Sequence, residues 1–161
     1  MPVRQLKEFL DRNNVKYVNI THSTAYTAQE IAALTHTKGR DLAKTVIVKL
    51  DGAQAMAVLP ASFHVDLERF KMSVGAKEVA LATESEFRTR FPGCETGAMP
   101  PFGNLFQMPV YVDESLTRDL EISFNAGTHN ELIRLAYSDF DRLAKPTVLR
   151  FVAEKATWQA A

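Results

Sequence analysis

The chain has 161 residues, 46% of them apolar, with 19 basic and 19 acidic side chains and a formal charge of zero. That is one domain of ordinary size, able to bury a core of its own, and its single cysteine, Cys94, excludes an internal disulfide framework. The balanced charge excludes a global electrostatic footprint for nucleic acid, so DNA is not an expected partner, although a local basic face would be invisible in the total.

Residues 1–14 read as an amphipathic helix, with Leu6, Phe9 and Leu10 on one face and Asn13-Asn14 ending it. They do not form a targeting segment, and no apolar run approaches the roughly 18 residues of a membrane span. A cytoplasmic protein with no membrane contact is therefore expected, and the apolar pattern is compatible with a monomer. Residues 15–20 alternate as a strand does, with Val15, Tyr17 and Asn19 on one side. Thr27-Ala28-Gln29-Glu30 has the form of a capping box opening a second helix through about Leu34. Residues 42–50 and 53–59 are strand-like, and Asp51-Gly52 between them is a hairpin signal.

Residues 66–72 predict a short helix. Thr83-Glu84-Ser85-Glu86 opens another, with Phe87 facing inward and an end before Pro92. Strands are expected over 109–112, 120–124 and 131–136. Ser138-Asp139 is expected to cap a last short helix, and residues 147–152 to close the sheet. No repeat, low-complexity tract or linker divides the chain. Residues 1–155 are expected to form a single domain, with 156–161 a frayed tail. Irregular interleaving of strands and helices with a hairpin points to an α/β fold of the mixed α+β kind, a mixed sheet with helices packed around it, and not a doubly wound parallel sheet.

Three segments stand out. The first is FPGCETGAMPPFGNLFQMP, residues 91–109, with three of the chain's seven glycines and four of its seven prolines. Proline cannot continue a helix or donate to a central ladder. A rigid loop follows, of the sort that holds backbone N–H groups where an anion or an oxyanion can bind. Within it Gly97 permits positive φ and close approach to the backbone, and Pro101 freezes the exit. The alternative is an ordinary surface connection.

The second is Lys44, at the mouth of a strand and, by alternation, on the same face as Val46 and Val48. It either snorkels at the strand end or reaches into a pocket as a point charge for phosphate or carboxylate. The third is the polar turn Asn125-Ala126-Gly127-Thr128-His129-Asn130. His129 could orient a substrate group or a water, or be only a turn residue. Metal spacing, a P-loop and a Gly-x-Ser-x-Gly elbow are all absent, so no metal and no cofactor are expected. Cys94 has no evident activating partner and reads as a bystander thiol.

In this order and at these spacings, Lys44 in AKTVIVKLDG, Gly97 to Pro101 as Gly-x-x-x-Pro, and NAGTHNELIRL resemble the YbaK/EbsC family, which includes the editing domain of bacterial prolyl-tRNA synthetases. The resemblance covers nearly the whole chain. It implies a compact domain with a mixed, barrel-like sheet, and hydrolysis of the ester of a mischarged aminoacyl-tRNA carrying a small residue such as Ala, Ser, Thr or Cys. It implies no metal, the tRNA acceptor end as partner, and a synthetase or elongation factor as a possible protein partner. By position Lys44, Gly97 and His129 carry the chemistry. Thr45, Ala98, Met99, Pro100, Pro101, Gly127 and Thr128 line the substrate site, joined by Thr21 and Tyr26. The bland alternatives are a turn residue for Thr21, a core residue for Tyr26 and a gap filler for Met99. A binding module that keeps the fold without turnover is the competing function, and a non-catalytic nucleic-acid binder a third.

Overall fold

The computed structural model describes residues 2–24, 30, 33 and 41–153. Of the expected second helix after Thr27 only residues 30 and 33 are described, and both are helical; Tyr26 and the C-terminal tail lie outside the described residues.

Helix α1 (Pro2–Arg12) buries Leu6 and Leu10 completely. Asn14 stops it by taking φ 58°, the left-handed conformation asparagine tolerates. Among the described residues eight strands form one mixed sheet: β1 (Tyr17–Thr21), β2 (Leu42–Leu50), β3 (Ala53–Pro60), β4 (Val79–Leu81), β5 (Val110–Asp113), β6 (Glu121–Asn125), β7 (Glu131–Ala136) and β8 (Thr147–Leu149). The order is β1-β7-β6-β2-β3-β5-β8, with β4 against β2. Helices α2 (Leu67–Val74), α3 (Glu84–Phe87) and α4 (Tyr137–Ala144) pack with α1 around the sheet. The mixed α/β fold is as expected.

The β2–β3 hairpin turns at Asp51 (φ 50°) and Gly52 (φ 89°), two successive positive values that match the strand twist. The Asp51 carboxylate also accepts from the backbone N–H groups of Lys77 and Glu78, tying the turn to the approach to β4. The helix after Thr83 opens as expected, the Glu86 carboxylate accepting from the Thr83 N–H at 2.8 Å. Lys49, on β2, holds the exposed Glu86 carboxyl down at about 2 through a 2.7 Å ion pair.

Three details differ from expectation. Strand β4 is new: only three residues long and mostly exposed, it carries too short a pattern to announce itself. The last helix begins at Tyr137 with Ala136 at its N-cap, so Ser138 and Asp139 lie inside the first turn; β7 runs straight into it and leaves no separate capping residue. Strand β8 ends at Leu149, and Val152 makes only an isolated bridge to Val65.

Alternation along β2 separates two cores. Ala43 and Ile47 face the main one, which collects Leu6, Leu10, Phe102, Phe124 and Phe140 beneath α1 and α4. Val48 faces the other with Ala55, Ala57, Leu59, Phe70 and Phe151. Phe102 joins the Gly/Pro loop to the main core, meeting the rings of Phe9, Phe124 and Phe140 edge-on at 5.8, 5.7 and 5.6 Å. The next residue, Gly103, passes so close to β5 that an added Cβ would lie 2.2 Å from the Met108 carbonyl oxygen and 2.6 Å from Val110 Cγ2. Backbone cannot yield as a flexible side chain can. Gly103→Ala should therefore destabilise the protein by about 1–3 kcal/mol, read as a lower denaturant midpoint at unchanged slope.

Candidate active site

The sheet has a break at β2. One edge of β2 pairs with β3 along its whole length. The other edge is shared. Its start pairs in parallel with β6, at Leu42–Ser123 and Ala43–Phe124. Its end pairs with β4 at Val48 to Leu50, and the Ala82 N–H reaches the Ile47 carbonyl. Between these two neighbours no strand pairs with Lys44, Thr45 or Val46 on that edge among the described residues. Lys44 is thus the first residue after β6 departs.

Beyond the break, β6 continues into the Gly127–His129 turn, which is bound to the Gly/Pro loop. The Glu95 N–H donates to the Gly127 carbonyl and the Gly127 N–H donates to the Ala98 carbonyl, both at 2.8 Å. The Glu95 carboxylate accepts from the His129 backbone N–H at 2.9 Å. His129 Nε2 lies 2.8 Å from the Thr96 carbonyl oxygen. A carbonyl can only accept, so Nε2 carries the proton, and the basic lone pair of a neutral ring is then on Nδ1. His129 is buried. Gly97 (φ 85°) and Gly127 (φ 103°) both require the conformation glycine supplies, and the Gly97 Cα passes beside the His129 ring.

The loop and the turn therefore form one hydrogen-bonded unit, and β6, which leads into the turn, last pairs with β2 at Ala43, one residue before Lys44. Ala98, Met99, Pro100 and Pro101 are buried, Met99 within the main core. The Thr128 hydroxyl donates to the Asn130 side chain at 2.7 Å, bracing the turn. Thr45 is buried on the opposite face of β2 from Lys44, shared with Ala43 and Ile47. Thr21 is exposed at the end of β1 and shares no face with Lys44. Glu95 was not anticipated. Its role depends on a partner 34 residues away, and a lone glutamate in a polar loop gives no local sign of that.

Lys44 is half-buried, and burial alone pushes its pKa down. No ion pair or hydrogen bond to its ammonium occurs among the described residues. Cys94 is also half-buried, and burial pushes its thiol up to about 11, leaving it protonated and a poor nucleophile at neutral pH. No group of three or more His, Cys, Asp or Glu side chains among the described residues could hold a metal.

A mixed sheet whose pairing is interrupted at a lysine, with a glycine loop hydrogen-bonded to the turn after β6, defines a small mixed α/β domain. The aminoacyl-tRNA editing domain model matches residues 22–143, and the chain belongs to that family. It is 26% identical over 153 residues to the multifunctional Ser/Thr-tRNA deacylase ProXp-y of Escherichia coli (strain K12), covering 92% of this chain and 91% of that one. A candidate trans-editing enzyme for prolyl-tRNA synthetase superposes with a TM-score of 0.81 at 23% identity, over 95% of this chain and 98% of the other. A hypothetical protein superposes with a TM-score of 0.82 at 20% identity, over 92% and 99%. No helix among the described residues is long and apolar enough to cross a membrane.

A half-buried ammonium with no partner among the described residues costs stability while it is charged. Lys44→Met should raise the melting temperature at pH 7 while impairing function. Because the folded pKa lies below the unfolded 10.5, wild-type stability rises with pH between the two values, and the advantage of the variant should shrink across that window. Melting curves of both proteins from pH 7 to 11 check this.

Proposed function

We propose that the chain is a free-standing deacylase that hydrolyses the ester of a mischarged aminoacyl-tRNA, with serine or threonine as the amino acid. The observation that carries this reading is the loop–turn unit at the break in the sheet. The amino acids follow the deacylase relative named above. Zero formal charge suits a substrate delivered by a synthetase partner better than one captured by a broad basic surface.

An aminoacyl ester is activated already, so water can attack it without a protein nucleophile. The carbonyl carbon becomes tetrahedral and its oxygen anionic, then collapse expels the ribose oxygen, releasing amino acid and tRNA. Within the Gly-x-x-x-Pro loop the prolines have no N–H, and the Ala98 N–H is committed to the Glu95 carbonyl at 3.0 Å. That leaves the N–H groups of Gly97 and Met99 as oxyanion donors, each worth about 3 kcal/mol when well placed. The Lys44 ammonium holds a phosphate or sugar oxygen of the terminal nucleotide and fixes the ester by proximity. The vicinal ribose hydroxyl orients the water. His129, pinned through its backbone by Glu95 and through Nε2 by Thr96, shapes the pocket wall.

Single-turnover hydrolysis of tRNAs charged with Ser, Thr, Ala or Cys tests this. Wild type should release serine or threonine. Lys44→Ala and Gly97→Ala should each lower kcat by about 100-fold or more, the latter by shifting the donor as φ relaxes, whereas Cys94→Ala should keep wild-type rates. Folded protein that binds tRNA without turnover on any ester would leave a binding module in place of the enzyme.

A further inference from the structure

Asn125 is the last residue of β6, and two observations single it out. Its Oδ1 is buried and accepts no hydrogen bond among the described residues. A buried acceptor without a donor is costly, and in a native structure it calls for an explanation. Its position is the second. Leu42 and Ser123 are partners in the parallel ladder, and such partners point to one side of the sheet. Two residues on along each strand stand Lys44 and Asn125, so both point to that same side, just beyond the last ladder pair. Asn125 also pairs across β7 with Leu132, which pairs with Ile20 of β1. Leu42, Leu132 and Ile20 pack together as a small apolar cluster. A half-buried ammonium and a buried amide oxygen, neither hydrogen-bonded among the described residues, therefore occupy neighbouring positions on a face that also carries this apolar cluster and, further along, Ser123 accepting from Arg134 Nε.

Their needs differ. The ammonium seeks an anion or a lone pair, and it is not bonded to the amide oxygen. The amide oxygen seeks a neutral or cationic donor, and the lysine beside it disfavours a second cation. A hydroxyl fits both: it donates to the amide oxygen and carries no charge. We infer that Asn125 is a specificity-determining residue whose Oδ1 accepts a hydrogen bond from the side-chain hydroxyl of a seryl or threonyl ester positioned by Lys44. This rests on the deacylase reading above and names what selects the amino acid within it. A site that hydrogen-bonds a substrate hydroxyl disfavours the analogue lacking it, because the buried acceptor is then left unmatched.

The test measures kcat/KM on one tRNA charged with serine or with alanine, for wild type, Asn125→Ala and Asn125→Ser. Wild type should favour the seryl ester. Asn125→Ala should lower the seryl-to-alanyl ratio by about tenfold or more, the scale of one hydrogen bond to an uncharged group. Asn125→Ser, which keeps a shorter acceptor, should restore part of that ratio. A purely structural role would scale both substrates together, so equal losses, or an unchanged ratio, would overturn the inference while leaving the deacylase reading intact. A wild type that prefers the alanyl ester would overturn it as well. No turnover of either ester by folded wild type would overturn the deacylase reading, and the inference with it.

Discussion

One strand edge serves two neighbours. β2 pairs in parallel with β6 at its start and antiparallel with β4 at its end. β6 comes from the far part of the chain and β4 from the segment after α2, so the two edges are brought together independently and do not meet. The interval spans three residues, and Lys44 is the first. Both faces of β2 bury apolar side chains, and Lys44 stands where the pairing on one edge stops, whereas Lys49 is paired on both edges and meets the Glu86 carboxylate. The turn that follows β6, with the loop hydrogen-bonded to it, begins where that strand leaves β2. The break is a consequence of sheet topology before it is one of side-chain chemistry.

What could be read in the residues was mostly local. The hairpin at Asp51-Gly52, the helix start at Thr83, the first helix and the rigidity of the Gly/Pro loop all follow from residue types whose backbone preferences are strong. The faces of β2 followed from period-two alternation, which put Lys44 with Val46 and Val48. Pairings between distant segments were not legible. Nothing in Leu42-Ala43 announces a parallel partner at Ser123-Phe124, and the bond from Glu95 to the His129 backbone depends on two segments folding together. β4 escaped for a different reason: three residues cannot show a period. The helix start at Tyr137 escaped because the chain passes from strand to helix without the polar pause that usually marks an N-cap. As for the site, the three segments were visible by composition, whereas Thr45 facing the main core and Thr21 standing away from Lys44 depend on sheet geometry.

The balance between stability and chemistry falls differently on Lys44 and on the loop–turn unit. Lys44 works against folding, since burial disfavours its charge and nothing described repays it within the chain. The loop and turn work with folding, because the hydrogen bonds that fix their backbone also satisfy groups that would otherwise be stranded. Phe102 and Gly103 extend this support, packing the loop into the main core and against β5. A destabilising cation is thus carried by a scaffold whose rigidity comes from elsewhere.

The β2–β3 hairpin lies seven residues from Lys44 along the chain, yet it sets that residue's handedness in the sheet. Side chains alternate strictly, so sliding β2 by one position against β3 would carry Lys44 through the sheet and present Thr45 in its place. Two positive-φ residues and the Asp51 carboxylate hold the turn at one length. An odd-numbered insertion or deletion between the turn and the lysine would move Lys44 to the other face while leaving the composition of the strand almost unchanged. The hairpin is in this sense an alignment pin, and parity, more than distance, is what it transmits.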